Sequence, residues 1–324
     1  MKKTWIAAFA FGCLALQGTA QEVSNEKKGD AIITVFSNLH SGLGKDNDDR
    51  GFAIERAYIG YRYQLPGNVT LQAVADVGKS KDVGDYNYLA YLKNAFVQWK
   101  HQKLTLTGGM ISTTQFNLQE KSWGKRYVMK SFQDEYGFGS SADLGVSAAY
   151  DFTSKLSADV IVVNGEGYKK IQNGDGLLYG AGLTARPLTG LTVRVYGGFN
   201  EASKNQESNM VNAAAFIGYK HTDFNLGVEY NYQTNASYTD GHDQQGVSAF
   251  AAARIARNVE VYGRWDYLNS KSGWNASEGN AGLLGADFKL GKYVKLSPNV
   301  RIKAPKADGA SNSYYAYLNC SFAL

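Results

Sequence analysis

The chain has 324 residues, a formal net charge of +5, 36 glycines, 22 tyrosines and only 4 prolines. Mean hydropathy is −0.34, and beyond the first twenty residues no apolar run reaches the ~18 residues a membrane helix requires. Helical membrane spans are thereby excluded, and 34 basic against 29 acidic residues leave no basic field suited to nucleic acid.

Residues 1–20 begin Met1-Lys2-Lys3, run through an apolar stretch from Trp5 to Leu16 and close on Gly18-Thr19-Ala20. That charged, apolar, small-residue order is a secretory signal peptide, with cleavage expected before Gln21. Cys13 lacks the flanking residues of a lipoprotein site. Loss of Lys2 and Lys3 lowers the formal charge from +5 to +3 and leaves one cysteine, Cys320, so no intramolecular disulfide can form. Residues 21–29 read as a short N-terminal segment, and 30–324 as one β domain.

From residue 30 the sequence is a train of sixteen period-two segments: 30–41, 52–64, 69–78, 88–100, 103–112, 143–152, 156–164, 177–186, 191–200, 211–220, 224–234, 247–255, 259–268, 279–289, 294–303 and 313–324. Tight turns ("LPGN", "HQ", "TSK", "PLTG", "HTD", "ARN", "LGKY") alternate with long polar joins such as "GLGKDNDDRG" and "NGEGYKKIQNGDG". Short and long joins alternate in this way in outer-membrane barrels. In segment 191–200, Leu191, Val193, Val195 and Phe199 share one face, and Thr192, Arg194, Tyr196 and Asn200 the other. A β-sandwich would fit that alternation too. The aromatics separate the two. On the apolar phase, Tyr63, Trp99, Phe152, Tyr219, Phe224 and Phe288 fall beside short turns, and Tyr179, Phe199, Tyr232, Trp265 and Tyr267 beside long joins. Two belts around an aliphatic band match the two bilayer interfaces. The expected fold is all-β, a 16-stranded antiparallel transmembrane barrel whose last segment pairs with the first, so that no edge lies open in lipid. One residue resists: uninterrupted alternation in 88–100 turns Lys93 outward, at a cost of about 2–4 kcal/mol near the bilayer centre.

Sixteen strands enclose water rather than a packed interior. The inner phase carries twelve basic positions, among them Arg56, Arg62, Arg194, Arg254, Arg264 and Arg301, against eight acidic ones. Such a tilt favours anions, unless the charges pair across strands and cancel. The longest join, 113–142, has 30 residues and is expected to fold inward and narrow the channel. Lys121, Lys125 and Arg126 would share one helical face, with Lys130 beyond them and Trp123 and Tyr127 as anchors; these four cations form the expected constriction. The alternative is a solvated outer lid.

The stretches "FAIERAYIGYRYQLPGNVTLQAVAD" and "YLKNAFVQWKHQKLTLTGGMISTTQF" resemble the early strands of the phosphate-selective porin family, the outer-membrane porins of O and P type. "QEKSWGKRYVMKSFQDEYGFGSSADLG" and "VVNGEGY" resemble its members from Bacteroides-type bacteria. The resemblance spans roughly residues 50–200. It implies a Gram-negative outer-membrane channel, commonly a homotrimer among lipid and lipopolysaccharide, with an inward third loop and basic residues along the pore. Phosphate selectivity is not carried over, because no dense arginine ladder stands on neighbouring strands, and Leu324 departs from the usual aromatic ending.

Two rival readings differ in class. A barrel hydrolase would need a histidine with an oriented partner, and His242 with Asp240 and Asp243 is the best candidate among 4 histidines. A structural or adhesive barrel would carry no open channel. The acidic "KDNDDRG" lacks the following glutamate of a calcium loop. No cofactor motif, metal-ligand cluster or phosphate-cradling glycine loop is present. The sequence therefore reads as a non-enzymatic porin for small anionic or neutral solutes, with mild anion preference.

Overall fold

A computed structural model describes residues 29–45, 47–80, 87–172, 174–307 and 309–324. The expected signal peptide, the cleavage point before Gln21 and Asp46 of the acidic loop lie outside these residues. The strands are β1 (Gly29–Leu43), β2 (Arg50–Leu65), β3 (Val69–Ser80), β4 (Asn87–His101), β5 (Leu104–Ser112), β6 (Ala142–Asp151), β7 (Leu156–Val163) and β8 (Leu178–Ala185). They continue as β9 (Leu191–Asn200), β10 (Met210–Lys220), β11 (Phe224–Thr234), β12 (Gln244–Ala256), β13 (Val259–Ser270), β14 (Gly279–Leu290), β15 (Val294–Pro305) and β16 (Ser313–Ala323). Each predicted segment matches one strand, with ends displaced by three residues at most.

Every strand pairs antiparallel with its chain neighbours, and β16 pairs with β1 from Thr34↔Ala323 to Leu43↔Tyr314, closing the barrel. The amphipathic ending of the sequence is thus the seam. Closure matters because an unpaired edge in hydrocarbon would leave a row of amides and carbonyls without partners. Alternation sets the faces: along β10, Val211, Ala213, Ala215 and Ile217 are exposed while Asn212, Ala214 and Phe216 are buried. Trp99, Phe152, Phe224 and Phe288 at one rim, and Tyr179, Phe199, Tyr232 and Trp265 at the other, belong to the exposed outer phase.

Lys93 corrects the outward reading. The β3–β4 register shifts between Val74 and Ala75, so that Val74 faces Asn94 and Ala75 faces Leu92, which leaves Lys93 as the extra residue of a bulge. Leu92 and Val97 both remain outside, 54% and 51% exposed, although an odd number of residues separates them. The bulge turns Lys93 and Asn94 to the same inner side, where Lys93 Nζ lies 3.2 Å from Tyr58 Oη. No charge is spent on the lipid face.

Short connections crowd one end of the barrel and long ones the other. The connection between β5 and β6, residues 113–141, carries α1 (Asn117–Trp123) and α2 (Phe132–Glu135).

Candidate functional site

The inner phase is not uniformly polar. Phe216 of β10, Phe250 and Ala252 of β12, Tyr262 of β13 and Leu283 of β14 form an apolar floor inside the barrel. Trp123, Tyr127 and Val128 of the 113–141 connection pack on it. The Trp123 ring lies 5.4 Å from Phe250 and 6.1 Å, edge-on, from Tyr262. Its indole N–H donates to Met129 O at 2.8 Å, so the polar end of the ring is satisfied as well. Further along, Phe132 is fully buried beside Gly246, where a Cβ would collide with the ring. The expected anchors, Trp123 and Tyr127, do anchor.

Polar ties complete the docking. Inner-phase side chains donate to backbone carbonyls that irregular chain would otherwise leave unpaired. Arg194 of β9 donates to Thr114 O (2.7 Å), Asn225 of β11 to Ser122 O (2.6 Å), Arg301 of β15 to Val128 O (2.8 Å) and Asn319 of β16 to Tyr127 O (2.9 Å). Arg264 of β13 donates to Lys130 O. Strands from β9 round to β16 thus hold the connection from within.

Those contacts decide where the expected cations stand. α1 ends at Trp123, and Gly124 takes a left-handed conformation (φ 66°) as its C-cap. Lys125 and Arg126 therefore leave the helix, which corrects the shared face with Lys121. Lys121 stays exposed on α1. Lys125 is buried between Glu260 and Asp287 (2.7 Å to Asp287), and Tyr127 Oη donates to the same Asp287 at 2.5 Å. Arg126 bridges Glu120 and Asp134 and approaches Tyr58 Oη at 3.3 Å. Burial works against the Asp134 carboxylate, yet Arg126 and Lys130 hold its pKa below the ordinary value. Lys130 is half-buried and forms no ion pair among the described residues.

The wall arginines divide. Arg56 pairs with Asp76 (3.2 Å), Arg194 with Asp159 (2.6 Å) and Arg264 with Asp266 (2.6 Å). Arg301 bonds the amides of Asn299 and Asn319 and lies 3.6 Å over the Tyr317 ring. Arg62 donates to Gln72 at 2.8 Å, and Arg254 is exposed opposite Glu260. Arg194, Arg264 and Arg301 double as struts of the 113–141 connection.

Sequence reasoning missed the other side of the passage. Lys93 lies 4.5 Å over the Tyr58 ring, and Lys169, on the β7–β8 connection, 5.3 Å over Tyr91. Tyr168 Oη donates to Asp76 at 2.5 Å, beside Arg56. A signal for the docking floor was present in Phe216, Phe250 and Leu283, three large apolar residues standing on the otherwise polar phase.

The hydrolase candidate does not assemble. His242 stacks on Trp274 at 4.6 Å, Asp243 accepts from Asn235 N and pairs with Lys271, and Asp240 accepts from Ser208. Asp49 of the acidic loop lies 3.5 Å from His40.

The family model described as "Putative beta-barrel porin-2, OmpL-like" matches residues 141–309, just over half of the chain. No curated protein matches the sequence. Among solved structures, OmpF of Salmonella typhi in complex with daunomycin superposes with a TM-score of 0.74 at 11% identity, over 92% of this chain and 98% of that one. An anion-selective porin from Comamonas acidovorans gives 0.67 at 13% identity, over 92% and 100%. The trimer form of OmpT, an outer membrane protein of Vibrio cholerae, gives 0.64 at 16%, over 93% and 100%. At such identities these likenesses speak for the fold alone.

Proposed function

The chain belongs to the β-barrel porin-2, OmpL-like family of outer-membrane barrels, and from that premise we propose a passive diffusion channel for small hydrophilic solutes with mild anion preference. The observation that carries the reading is the charge around the passage between the 113–141 connection and the β2–β4 wall. Arg56, Lys93, Arg126, Lys130 and Lys169 surround Asp76, Glu120 and Asp134 there, five cations against three carboxylates. Fixed positive charge lining a narrow, low-dielectric passage lowers the electrostatic barrier for anions. Pairing elsewhere keeps the preference mild, because the Arg194, Arg264 and Lys125 charges are cancelled by carboxylates. Lys121 and Lys130 then act as the free cations of the constriction, with Arg126 setting its shape. Phosphate is one solute of this class; the motif resemblance supports it, and the spacing of the arginines weighs against a dedicated phosphate path. A homotrimer embedded among lipopolysaccharide completes the proposal, supported by the trimeric form of a structural neighbour.

The test is single-channel recording in a planar bilayer across a KCl gradient. An open channel with a reversal potential of anion-selective sign is expected. A cation-selective sign would overturn the anion preference, and well-folded protein without conductance would favour the structural or adhesive barrel.

A further inference from the structure

Resting on the channel reading above, we propose that the lumen holds, at the long-connection end, a binding site for an anionic monosaccharide, a sugar ring bearing a phosphate or carboxylate. The site is a cavity of about 450 Å³ between the 113–141 connection and the wall from β7 to β11. That volume equals about fifteen waters at ~30 Å³ each, far more than a bare inorganic anion fills.

Its lining is two-sided. Arg56, Lys130, Lys169 and Lys170 supply cations, while Ile161, Leu178, Tyr196, Met210 and Tyr238 supply an uncharged, largely apolar wall. Lys169, over the Tyr91 ring of β4, and Arg56 of β2 put positive charge opposite the β7–β11 wall. A ligand with one charged end and an uncharged ring-sized body matches that division. Lys130, Lys169 and Lys170 form no ion pair among the described residues. Burial, and then the neighbouring Arg56 and Lys130 charges, hold the Lys169 pKa below its ordinary value, so the positive potential there is not neutralised by the protein. Of the carboxylates on the wall, Asp134 is engaged by Arg126, and Asp143 accepts the backbone N–H groups of Leu144, Gly165 and Gly167 at 2.7, 2.8 and 3.1 Å. Glu166 also lines the cavity and offsets part of the field.

The site is held in shape before any ligand arrives. Asp143 staples the turn "NGEGY", Asn164 to Tyr168, through Gly165 and Gly167, both in left-handed conformations (φ 97° and 83°). A Cβ at Gly167 would lie 2.5 Å from Ser140 Oγ, so only glycine fits. Tyr168 N donates to Ala142 O (2.9 Å) and its hydroxyl to Asp76, which fixes the turn between β6 and β3 and sets Lys169 and Lys170 at the rim. Pre-ordering of this kind removes the cost of organising two lysines upon binding.

The experiment is block of the single-channel KCl current by glucose 6-phosphate, glucuronate, glucose and inorganic phosphate, each added from the long-connection side. Glucose 6-phosphate and glucuronate are expected to block at concentrations about tenfold below glucose, and glucose 6-phosphate below inorganic phosphate, as a charge plus a ring contact requires. Lys169→Gln/Lys170→Gln should weaken the block by about fivefold, as loss of two partly solvated ion pairs would. Lys155→Gln, in a short turn at the opposite end, should leave it unchanged. Equal block by glucose and glucose 6-phosphate, or a double variant as sensitive as the parent, would overturn the site while the channel reading stands. Absence of any current would overturn the channel reading first and the site with it. Equilibrium dialysis of labelled glucose 6-phosphate against folded protein gives the same discrimination if the double variant inserts poorly.

Discussion

The barrel wall and the 113–141 connection are built on opposite principles. The wall is ordered by backbone: each strand is laddered to both neighbours, and a side chain need only choose between lipid and water. The connection is ordered by side chains, through Trp123 on its apolar floor, Lys125 between two carboxylates, and arginine and asparagine donors that arrive from distant strands. Wall substitutions should therefore act locally, whereas single substitutions in the connection should release a whole segment and change permeation without dissolving the barrel.

The sharpest way to break this contrast is Trp123→Ala. Removing the central ring of the docking floor should cost about 3–5 kcal/mol, exposing residues 113–141 to protease while the folded barrel keeps its anomalous mobility in unheated gels. If the barrel unfolds as well, the two regions are one cooperative unit and the contrast fails. Lys125→Met comes next, at about 2–3 kcal/mol, below the full cost of breaking a buried pair because Glu260 keeps 34% of its side chain in water. Adding Asp287→Asn should recover most of that loss, measured by the same proteolysis.

The acid limit of the connection is a smaller effect. Asp134 titrates below its ordinary value in the folded protein, so its pairing with Arg126 contributes above about pH 4 and is lost only as pH falls through the lowered pKa. Protection of the connection should persist at pH 4 and decline below it, and Arg126→Gln should move that decline upward. The smallest effect is expected for Lys93→Met. An inward lysine gains nothing from losing its charge, so the folded fraction in lipid should hardly change, whereas an outward one would gain about 2–4 kcal/mol. The same variant should move the reversal potential toward cation selectivity.

Legibility in the sequence follows the same division. Period two records which face a strand residue occupies, so all sixteen strands, both aromatic belts and the β1–β16 seam could be read from local pattern. A bulge breaks the count silently: nothing in "YLKNAFVQW" marks Lys93 as the extra residue, because the register is set by β3. The cations of the connection were visible, but their partners were not. Lys125 meets Asp287 across 162 positions and Arg194 reaches Thr114 across 80. Pairs at such separations leave no periodic trace, whereas apolar intruders on a wet face, such as Phe216 and Phe250, do.

The seam has a consequence in time. Thr34 finds Ala323 only when nearly the whole chain is available, and contacts so far apart in sequence are made late and slowly. Until then β1 offers an unpaired edge and every strand an apolar face. The exported chain must therefore be escorted across the periplasm and its sheet completed in a single late event, so that damage to β16 would be felt as failed delivery of the whole protein rather than as a leaky pore.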